Sequence, residues 1–179
     1  IEHIRAYANT HADEVCARIS LKLNQNITIA REAFEGTLSI SNGHDKKPLT
    51  NVKLVLTVAD EKGVVCNDMF GISENGLNGM TGGSVLVGDV DLAAASQGSA
   101  SILFVPTFEA APTEPKKYYF GGSLTYLDPY TDEQITAPLT PVPLMVNPCP
   151  KLTLHYFLQQ EVFGDDPMTP DVVWSSEAA

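Results

Sequence analysis

Hydrophobic and polar residues alternate along much of this chain with a period of two, the pattern of a β-strand that buries one face. Residues 15–23 give the first example, with apolar side chains at every second position. Similar runs follow at 34–41, 52–59, 99–105, 118–127 and 134–146. No amphipathic segment of helical period stands between them, which argues against βαβ units. The pattern therefore predicts an all-β protein, an antiparallel β-sandwich of about seven to eight short strands.

Turn-forming residues mark the ends of several predicted strands. The sequence Asp-Glu-Lys-Gly at 60–63 predicts a hairpin turn, because Gly63 can take the positive φ that such a turn needs, and residues 64–65 are expected to resume the sheet. Pro106 should end the strand at 99–105, since proline has no N–H to donate to a neighbour. Three prolines in the last strand confine it to a sheet edge or break it at a bulge; they are Pro138, Pro141 and Pro143.

Two segments between the predicted strands carry no alternation. Residues 67–91 are rich in Gly and Asn, so we predict a long irregular loop there. Its apolar side chains are expected to plug an open edge or end of the sandwich; they are Met69, Phe70, Ile72, Leu77 and Met80. Residues 110–115 contain two prolines and are predicted to cross between strands in an extended form.

The strand pattern also predicts how the chain is divided. Residues 15–147 form the sandwich, and residues 1–14 precede it as an N-terminal extension. Residues 148–179 are predicted to be a Pro-rich linker followed by an extra strand at 152–158. A lone strand cannot bury its apolar face, so this one should add to the main sheet, pair with another copy or begin a following module. The start at Ile1, without a leader, suggests an excised piece or a mature product.

Composition narrows the classes of function. The chain has 179 residues, of which 44% are hydrophobic, enough for a substantial core. Its formal net charge is −11, from 22 acidic and 11 basic side chains. Such a surface repels phosphate backbones and anionic lipid, so we do not expect nucleic-acid binding. No apolar run approaches the roughly 20 residues of a membrane helix, so membrane insertion is not expected either.

Candidate catalytic motifs are missing from the sequence. There is no Gly-x-Ser-x-Gly motif for a nucleophilic serine, and the four histidines are scattered along the chain. No sequence feature places two carboxylates across a cleft, as glycoside hydrolysis requires. We therefore predict a protein that is not an enzyme and that uses no cofactor.

The three cysteines, Cys16, Cys66 and Cys149, form no Cys-x-x-Cys pair, so metal or redox chemistry has little support. Cys16 and Cys149 flank the predicted sandwich. A disulfide between these two would tie the start of the domain to its end, and the alternative is that no disulfide forms.

Acidic turns are the candidates for a Ca²⁺ site, because Ca²⁺ prefers several oxygen ligands. The candidate residues are Asp89, Asp91, Asp128 and Asp132, with Glu133 beside the second pair and a further pair at Asp165 and Asp166. None of these groups has EF-hand spacing, so solvated acidic turns are the alternative.

Exposed aromatic rings could form a platform for sugars. The candidates for ligand binding are Tyr118, Tyr119 and Tyr130. Alternation divides the rings of this region between the two faces of a strand, so at least half of them should be core residues.

Four segments together resemble known repeats; these are the stretches at 98–107, 110–115, 118–126 and 141–148. They are similar to immunoglobulin-like or fibronectin-type repeats of very large, multi-domain secreted or cell-surface proteins, mainly bacterial. The hairpin sequence at 60–65 resembles the usual hairpin of these repeats, and residues 152–170 resemble the start of a following repeat. The Cys…Trp…Cys pattern of antibody domains is missing, since the only Trp is Trp174.

The resemblance implies an immunoglobulin-like sandwich that lies outside the cell or on its surface. It also implies a structural or adhesive role as a spacer or protein-interaction unit, with no catalytic residues. The expected partners are other domains of the same long chain and a surface protein or glycan. A carbohydrate-binding module that uses exposed tyrosines is the alternative.

Overall fold

Two β-sheets enclose a hydrophobic core in residues 17–150, the part of the chain that the computed structural model describes. The ten strands are β1 Arg18–Leu23, β2 Ile27–Ile29, β3 Phe34–Ser41, β4 Leu49–Asp60, β5 Phe70–Asn78, β6 Thr81–Gly82, β7 Val90–Leu92, β8 Gln97–Pro106, β9 Lys116–Leu127 and β10 Gln134–Asn147. One sheet has the order β1-β3-β8-β5 and the other β2-β10-β9-β4-β7-β6. Among these ten strands of the described region, only β2 and β10 pair in parallel. The predicted all-β sandwich is confirmed, and seven of its strands are longer than three residues.

Alternation along the strands decides which side chains enter the core. In β3, Leu38 and Ile40 are buried, whereas Ser39 between them is exposed. In β4, Leu54 is buried and its neighbour Lys53 is exposed. The predicted assignment of buried and exposed faces is therefore confirmed in both sheets.

The sandwich has two ends that differ in chemistry. At the aromatic end, β8 finishes at Pro106 and β9 begins at Lys116. At the polar end, β8 begins at Gln97 and β9 finishes at Leu127. These two names are used below for the two ends.

The strands that open and close the sandwich do so at opposite ends. β1 begins at the polar end, because Arg18 pairs with Ser41, the last residue of β3. β10 finishes at the aromatic end, because Val146 pairs with Lys116. A chain that passes through this sandwich therefore enters at one end and leaves at the other.

Five aromatic rings fill the core near the aromatic end. Phe120 lies edge-on to Phe104, Phe70 and Phe34, with ring centroids 5.1, 5.2 and 5.5 Å apart. Phe34 and Phe104 are stacked at 5.2 Å, and Tyr118 lies edge-on to Phe70 at 5.0 Å. Edge-to-face and offset contacts of this kind stabilise aromatic pairs beyond the area they bury.

A close approach of two backbones fixes the centre of the six-stranded sheet. Gly122 of β9 has φ of 129°, and a Cβ atom there would overlap the carbonyl oxygen of Val55 in β4. The pairing of β9 with β10 shifts register between Leu139 and Val142, where Pro141 packs over Gly121. The prolines predicted either an edge position or a bulge for the last strand; β10 lies between β2 and β9 and has the bulge.

The segment 67–91 differs from the irregular loop that its sequence predicts. It contains β5, which pairs with β8 along most of its length, and the short strands β6 and β7. Phe70 is buried, and the other apolar residues named above for this segment pack against the core. The prediction missed β5 because Gly71, Asn75 and Gly76 break the apolar alternation while backbone pairing continues.

Three smaller differences concern the connections. β2, only three residues long, was not predicted because its parallel pairing with β10 leaves no local sequence signal. The crossing predicted to be extended at 110–115 instead starts at the last residue of a short 3-10 helix, Phe108–Ala110, and bends at 111–114; Ala110 and Ala111 are buried. After the turn at Gly63 (φ 79°), the sheet resumes only as a single bridge between Ala59 and Val65.

The predicted N-terminal extension at 1–14 and the predicted strand at 152–158 lie outside the described residues. Within residues 17–150, no helix is long and apolar enough to cross a membrane.

Candidate functional site

Among residues 17–150, no strand pairs with the outer edge of β5, and this edge is the first feature that can contact a partner. β1 and β5 are the edges of the four-stranded sheet, and β2 and β6 those of the six-stranded sheet. The β1 edge carries Arg18 and Lys22, and charged side chains on an edge discourage pairing with another chain. β2 and β6 have only three and two residues. β5 has nine residues without Pro, Lys or Arg, so it is the edge best able to accept another strand.

Only the first half of β5 is open in this way. Glu74 accepts hydrogen bonds from the Ser84 hydroxyl (2.9 Å) and the Val85 N–H (2.8 Å), which ties β5 to the segment between β6 and β7. Next to it, the β5–β8 register shifts between Glu74 and Gly76. Because bulges and inward-pointing charges blunt a strand edge, residues 70–73 remain as the open part.

An apolar groove of about 550 Å³ borders this open part. Val105 and Phe108 contribute large apolar side chains that are 36% and 44% exposed. The complete lining is Arg31, Gly71, Val105, Pro106, Thr107 and Phe108. Gly71 has no side chain to cover Val105, its partner across the β5–β8 pairing, which keeps the groove open.

A second depression, of about 530 Å³, lies on the four-stranded sheet near the polar end. Its side chains are mainly small and hydroxylated; they include Ser20, Ser39, Ser41 and Ser99 beside Arg18 and Gln97. These hydroxyls are open to water, which hydrogen-bonds them as well as a ligand would. The depression can accept a polar molecule, but its chemistry does not distinguish one from another.

The candidate calcium ligands near β7 hold backbone in place. Asp89 accepts the N–H of Ser84 at 2.7 Å, which closes the turn between β6 and β7. Asp91 accepts the N–H of Asn51 at 3.2 Å. Asn51 has a positive φ of 53° at the point where β4 and β7 shift register, so Asp91 stabilises an irregular part of the sheet.

The second acidic pair closes the turn between β9 and β10. Asp128 accepts the N–H groups of Tyr130 (2.7 Å) and Thr131 (3.0 Å), and its carbonyl accepts the N–H of Asp132 (3.0 Å). Burial alone would raise the pKa of Asp128, but these backbone hydrogen bonds and the nearby His44 lower it below its ordinary value. The carboxylate therefore acts here as the acceptor that orders the turn.

Neither acidic pair is completed into a cluster of three or more carboxylate, thiol or imidazole ligands among the residues the structure describes. The third candidate pair, Asp165 and Asp166, lies outside them. The calcium site remains a prediction.

Contacts between loops fix the polar end. Asn42 is buried, donates to the Lys47 carbonyl (3.0 Å) and accepts the N–H of His44 (2.9 Å). Lys47 donates its ammonium group to the Pro129 carbonyl and lies 4.5 Å from the centre of the Tyr130 ring. His44 meets the same ring edge-on at 5.5 Å. The loop after β3 and the turn after β9 are therefore bound to each other.

The three candidate tyrosines do not form one platform. Tyr118 is buried and donates its hydroxyl to the Ala110 carbonyl at 2.7 Å, so its assignment to ligand binding is wrong. Tyr119 is half-buried near the aromatic end, and Tyr130 is exposed at the polar end. The eight residue-to-residue steps from Tyr119 to Leu127, the end of β9, alone span about 26 Å at about 3.3 Å per step. Sequence alternation could not indicate which face of β9 enters the core.

The cysteines offer no paired site in the described part of the chain. Cys66 and Cys149 are half-buried thiols that are not bonded to each other. Cys66 contacts the Val64 carbonyl at 3.2 Å. Cys16 lies outside the described residues, so the Cys16–Cys149 disulfide remains a prediction.

Sequence reasoning missed the open edge and its groove, because they depend on which strands are neighbours. The one available signal was the group of apolar residues in 67–91, which was interpreted as a plug for an edge. In the structure that segment is itself an edge.

No protein-family model matches this sequence, and no curated protein matches it. Solved structures resemble it at low identity. A family 123 glycoside hydrolase from Clostridium perfringens is 14% identical, with a TM-score of 0.45, over 75% of this chain and 27% of that one. The chain thus spans about a quarter of that enzyme's length.

Two further similar structures are a pilin and a fimbrial subunit. The full-length major pilin SpaD from Corynebacterium diphtheriae is 12% identical, with a TM-score of 0.45, over 71% of this chain and 34% of the pilin. AggA, the major subunit of aggregative adherence fimbriae type I from Escherichia coli, is 9% identical, with a TM-score of 0.39, over 75% and 96%.

Proposed function

We propose that this chain is a non-catalytic, immunoglobulin-like structural and adhesive module of a larger extracellular or cell-surface protein, in which it serves as a spacer and protein-interaction unit. The observation that supports it most directly is the placement of β1 and β10, which begin and finish at opposite ends of the sandwich. Modules connected in this way extend in series, as a spacer requires.

The pairing of these two strands suits a module under tension. β1 pairs with β3 over six residue pairs, and β10 pairs with β9 over eleven. Pulling on the chain would load these hydrogen bonds along the strand direction, so that many of them must break together. The net charge of −11 also keeps such a chain soluble and disfavours collapse onto itself.

The carbohydrate-binding alternative has less support from the geometry. It needs aromatic rings on one exposed face, whereas Tyr118 is buried and Tyr119 and Tyr130 lie toward opposite ends of the sandwich.

Force spectroscopy on the full chain, held between two reference modules, tests the spacer role. We expect a distinct unfolding event that releases about 41 nm: about 45 nm of extended chain at about 3.4 Å per residue, less the roughly 4 nm that the folded sandwich already spans. Lys22→Pro should lower the unfolding force, because it removes an N–H that points toward β3. The Asn24 N–H donates to the Glu35 carbonyl of β3 at 2.9 Å, and hydrogen-bonded pairs recur every two residues, so Lys22 and its partner Thr37 form such a pair too.

Lys22→Thr is the matched control, because it removes the same side chain but keeps the N–H. It should unfold at nearly the original force. A chain that extends without a resolvable unfolding event would contradict the proposed function.

A further inference from the structure

The open part of β5 exposes backbone groups that another strand could bond. Pro106 directs its carbonyl away from β5, since that oxygen accepts the N–H of Arg31 at 2.8 Å. Phe70, the partner of Pro106 in β5, therefore forms a pair whose two residues do not hydrogen-bond each other. Bonded and non-bonded pairs alternate along an antiparallel ladder, so the pair of Ile72 with Phe104 is also non-bonded. The N–H and C=O of Ile72 accordingly point out of the sheet. The neighbouring pair, Met69 and Thr107, is hydrogen-bonded, since the Thr107 N–H donates to the Met69 carbonyl at 2.8 Å; this agrees with a non-bonded pair at Phe70.

The side chains beside this edge define what an added strand must carry. Val105 and Phe108 leave apolar surface uncovered on the outer face, and Gly71 between them and the edge gives access to it. Arg31, the charged residue of the groove, is exposed. A segment with alternating apolar side chains and nearby carboxylates complements this surface.

The chain itself contains such a segment beyond the described residues. Apolar side chains recur at every second position from Leu152 to Leu158. Residues 151–179 carry five acidic side chains and one lysine. The chain leaves the sandwich at the end where the groove lies: Asn147 accepts the N–H of Ala30 at 2.8 Å, and the next residue, Arg31, bonds Pro106 in the groove wall.

We propose that the open edge of β5 accepts residues 152–158 of a second copy of this chain as an added strand. This deepens the interaction-unit part of the proposed function by naming the partner. An added strand bonds Ile72 through its N–H and C=O and places alternate side chains over Gly71, against Val105 and Phe108. Acidic residues that follow position 158 then lie within reach of Arg31.

Pairing between copies is favoured over reversal within one copy. Pro148 and Pro150 hold the backbone extended where the chain leaves β10, which disfavours a turn there. β10 finishes at the aromatic end and β5 begins there, so a chain that turned back would run parallel to β5. A second copy can supply the segment antiparallel, which gives the more stable pairing.

The test measures the mass of the full chain by analytical ultracentrifugation over a range of concentrations, together with hydrogen exchange of the Ile72 amide. We expect mass to rise with concentration and the amide to become protected in parallel. Leu154→Asp should weaken association by about tenfold or more, because a charge would face the apolar groove.

Charge reversal at the groove provides the second variant. Arg31→Glu should weaken association, whereas Arg18→Glu, an equal change at an exposed position on β1, should leave it unchanged. A synthetic peptide of residues 151–166 should protect the Ile72 amide of the full chain and compete with self-association.

Three results would overturn the proposal: a mass that stays that of one copy throughout, association that Leu154→Asp leaves intact, or an Ile72 amide protected in the single copy. The last would show that the edge is covered within one chain. None of these results alters the unfolding force, so the spacer role stands or falls separately.

Discussion

The two ends of this sandwich are held by different interactions. The aromatic end contains five packed rings within the core, with Phe120 in contact with three of the others. At the polar end the loops are joined by hydrogen bonds and by contacts to the ring of Tyr130, which is 56% exposed. Removal of a buried ring leaves a cavity and lowers the free energy of unfolding by several kcal/mol, roughly, whereas each solvent-exposed contact contributes little. Stability should therefore be concentrated at the end where the chain leaves the sandwich.

Removal of one ring at each end gives the largest contrast. Phe120→Ala should lower the free energy of unfolding by about 3–5 kcal/mol, because it opens a cavity among three rings. Tyr130→Ala should cost less than about 1 kcal/mol, since it removes an exposed ring contact. Urea unfolding followed by circular dichroism measures both. Equal losses would refute the contrast between the ends.

The polar end includes a buried side-chain amide, that of Asn42, whose loss should be measurable. Asn42→Ala should lower the free energy of unfolding by about 1–3 kcal/mol, because the Lys47 carbonyl and the His44 N–H lose their partner. Asn75→Ala, at an exposed position in β5, is the control and should change little. Thermal unfolding by calorimetry compares them. If both variants melt alike, the buried amide does not organise this end.

At the aromatic end, the hydroxyl of Tyr118 should give stability an alkaline limit. Burial, and the nearby Cys66, Asp60 and Asp68, raise the pKa of Tyr118 above its ordinary value of 10.0. The folded state holds the phenolic proton more tightly than the unfolded state. This contribution is complete below about pH 10 and is lost as pH rises toward the folded-state pKa.

Tyr118→Phe should cost about 1 kcal/mol at neutral pH through the lost bond to the Ala110 carbonyl. It should also make stability fall less steeply above pH 10 than in the original chain. Denaturant unfolding at several alkaline pH values measures this slope. Curves of identical slope would show that Tyr118 does not titrate differently in the two states.

At the polar end, substitution of Asp128 should give the smallest change in stability, and only at acid pH. Its lowered pKa means that its contribution is present above the unfolded-state value and is lost as pH falls through the folded-state pKa. Asp128→Asn keeps an oxygen for the Tyr130 and Thr131 N–H groups but removes the charge. The variant should lose slightly less stability below pH 4, as seen in acid-induced unfolding.

Most of the core could be predicted from the sequence, because half-buried strands leave a period of two. The burial of Leu38 and Leu54 and the exposure of Ser39 and Lys53 follow directly from it. The bulge in β10 was likewise predictable from Pro141 and its neighbours, because proline cannot donate to a ladder.

What could not be predicted depends on pairing between distant segments. β5 is rich in Gly and Asn and takes its conformation from the ladder with β8. Tyr118 is buried and Tyr119 is not because of which face of β9 meets the aromatic core. Alternation alone does not show which of the two faces that is. The groove beside Gly71 exists because β5 is the last strand of its sheet, an order no local pattern encodes.

The close contact between Gly122 and the Val55 backbone means that only glycine fits at position 122. Any side chain at position 122 would force the two central strands apart, and its left-handed φ adds strain for every other amino acid. Gly63 also has a positive φ but faces open space, so asparagine should be accepted there. A saturation library should therefore recover only the original residue at 122 and several at 63, whatever partner this chain meets.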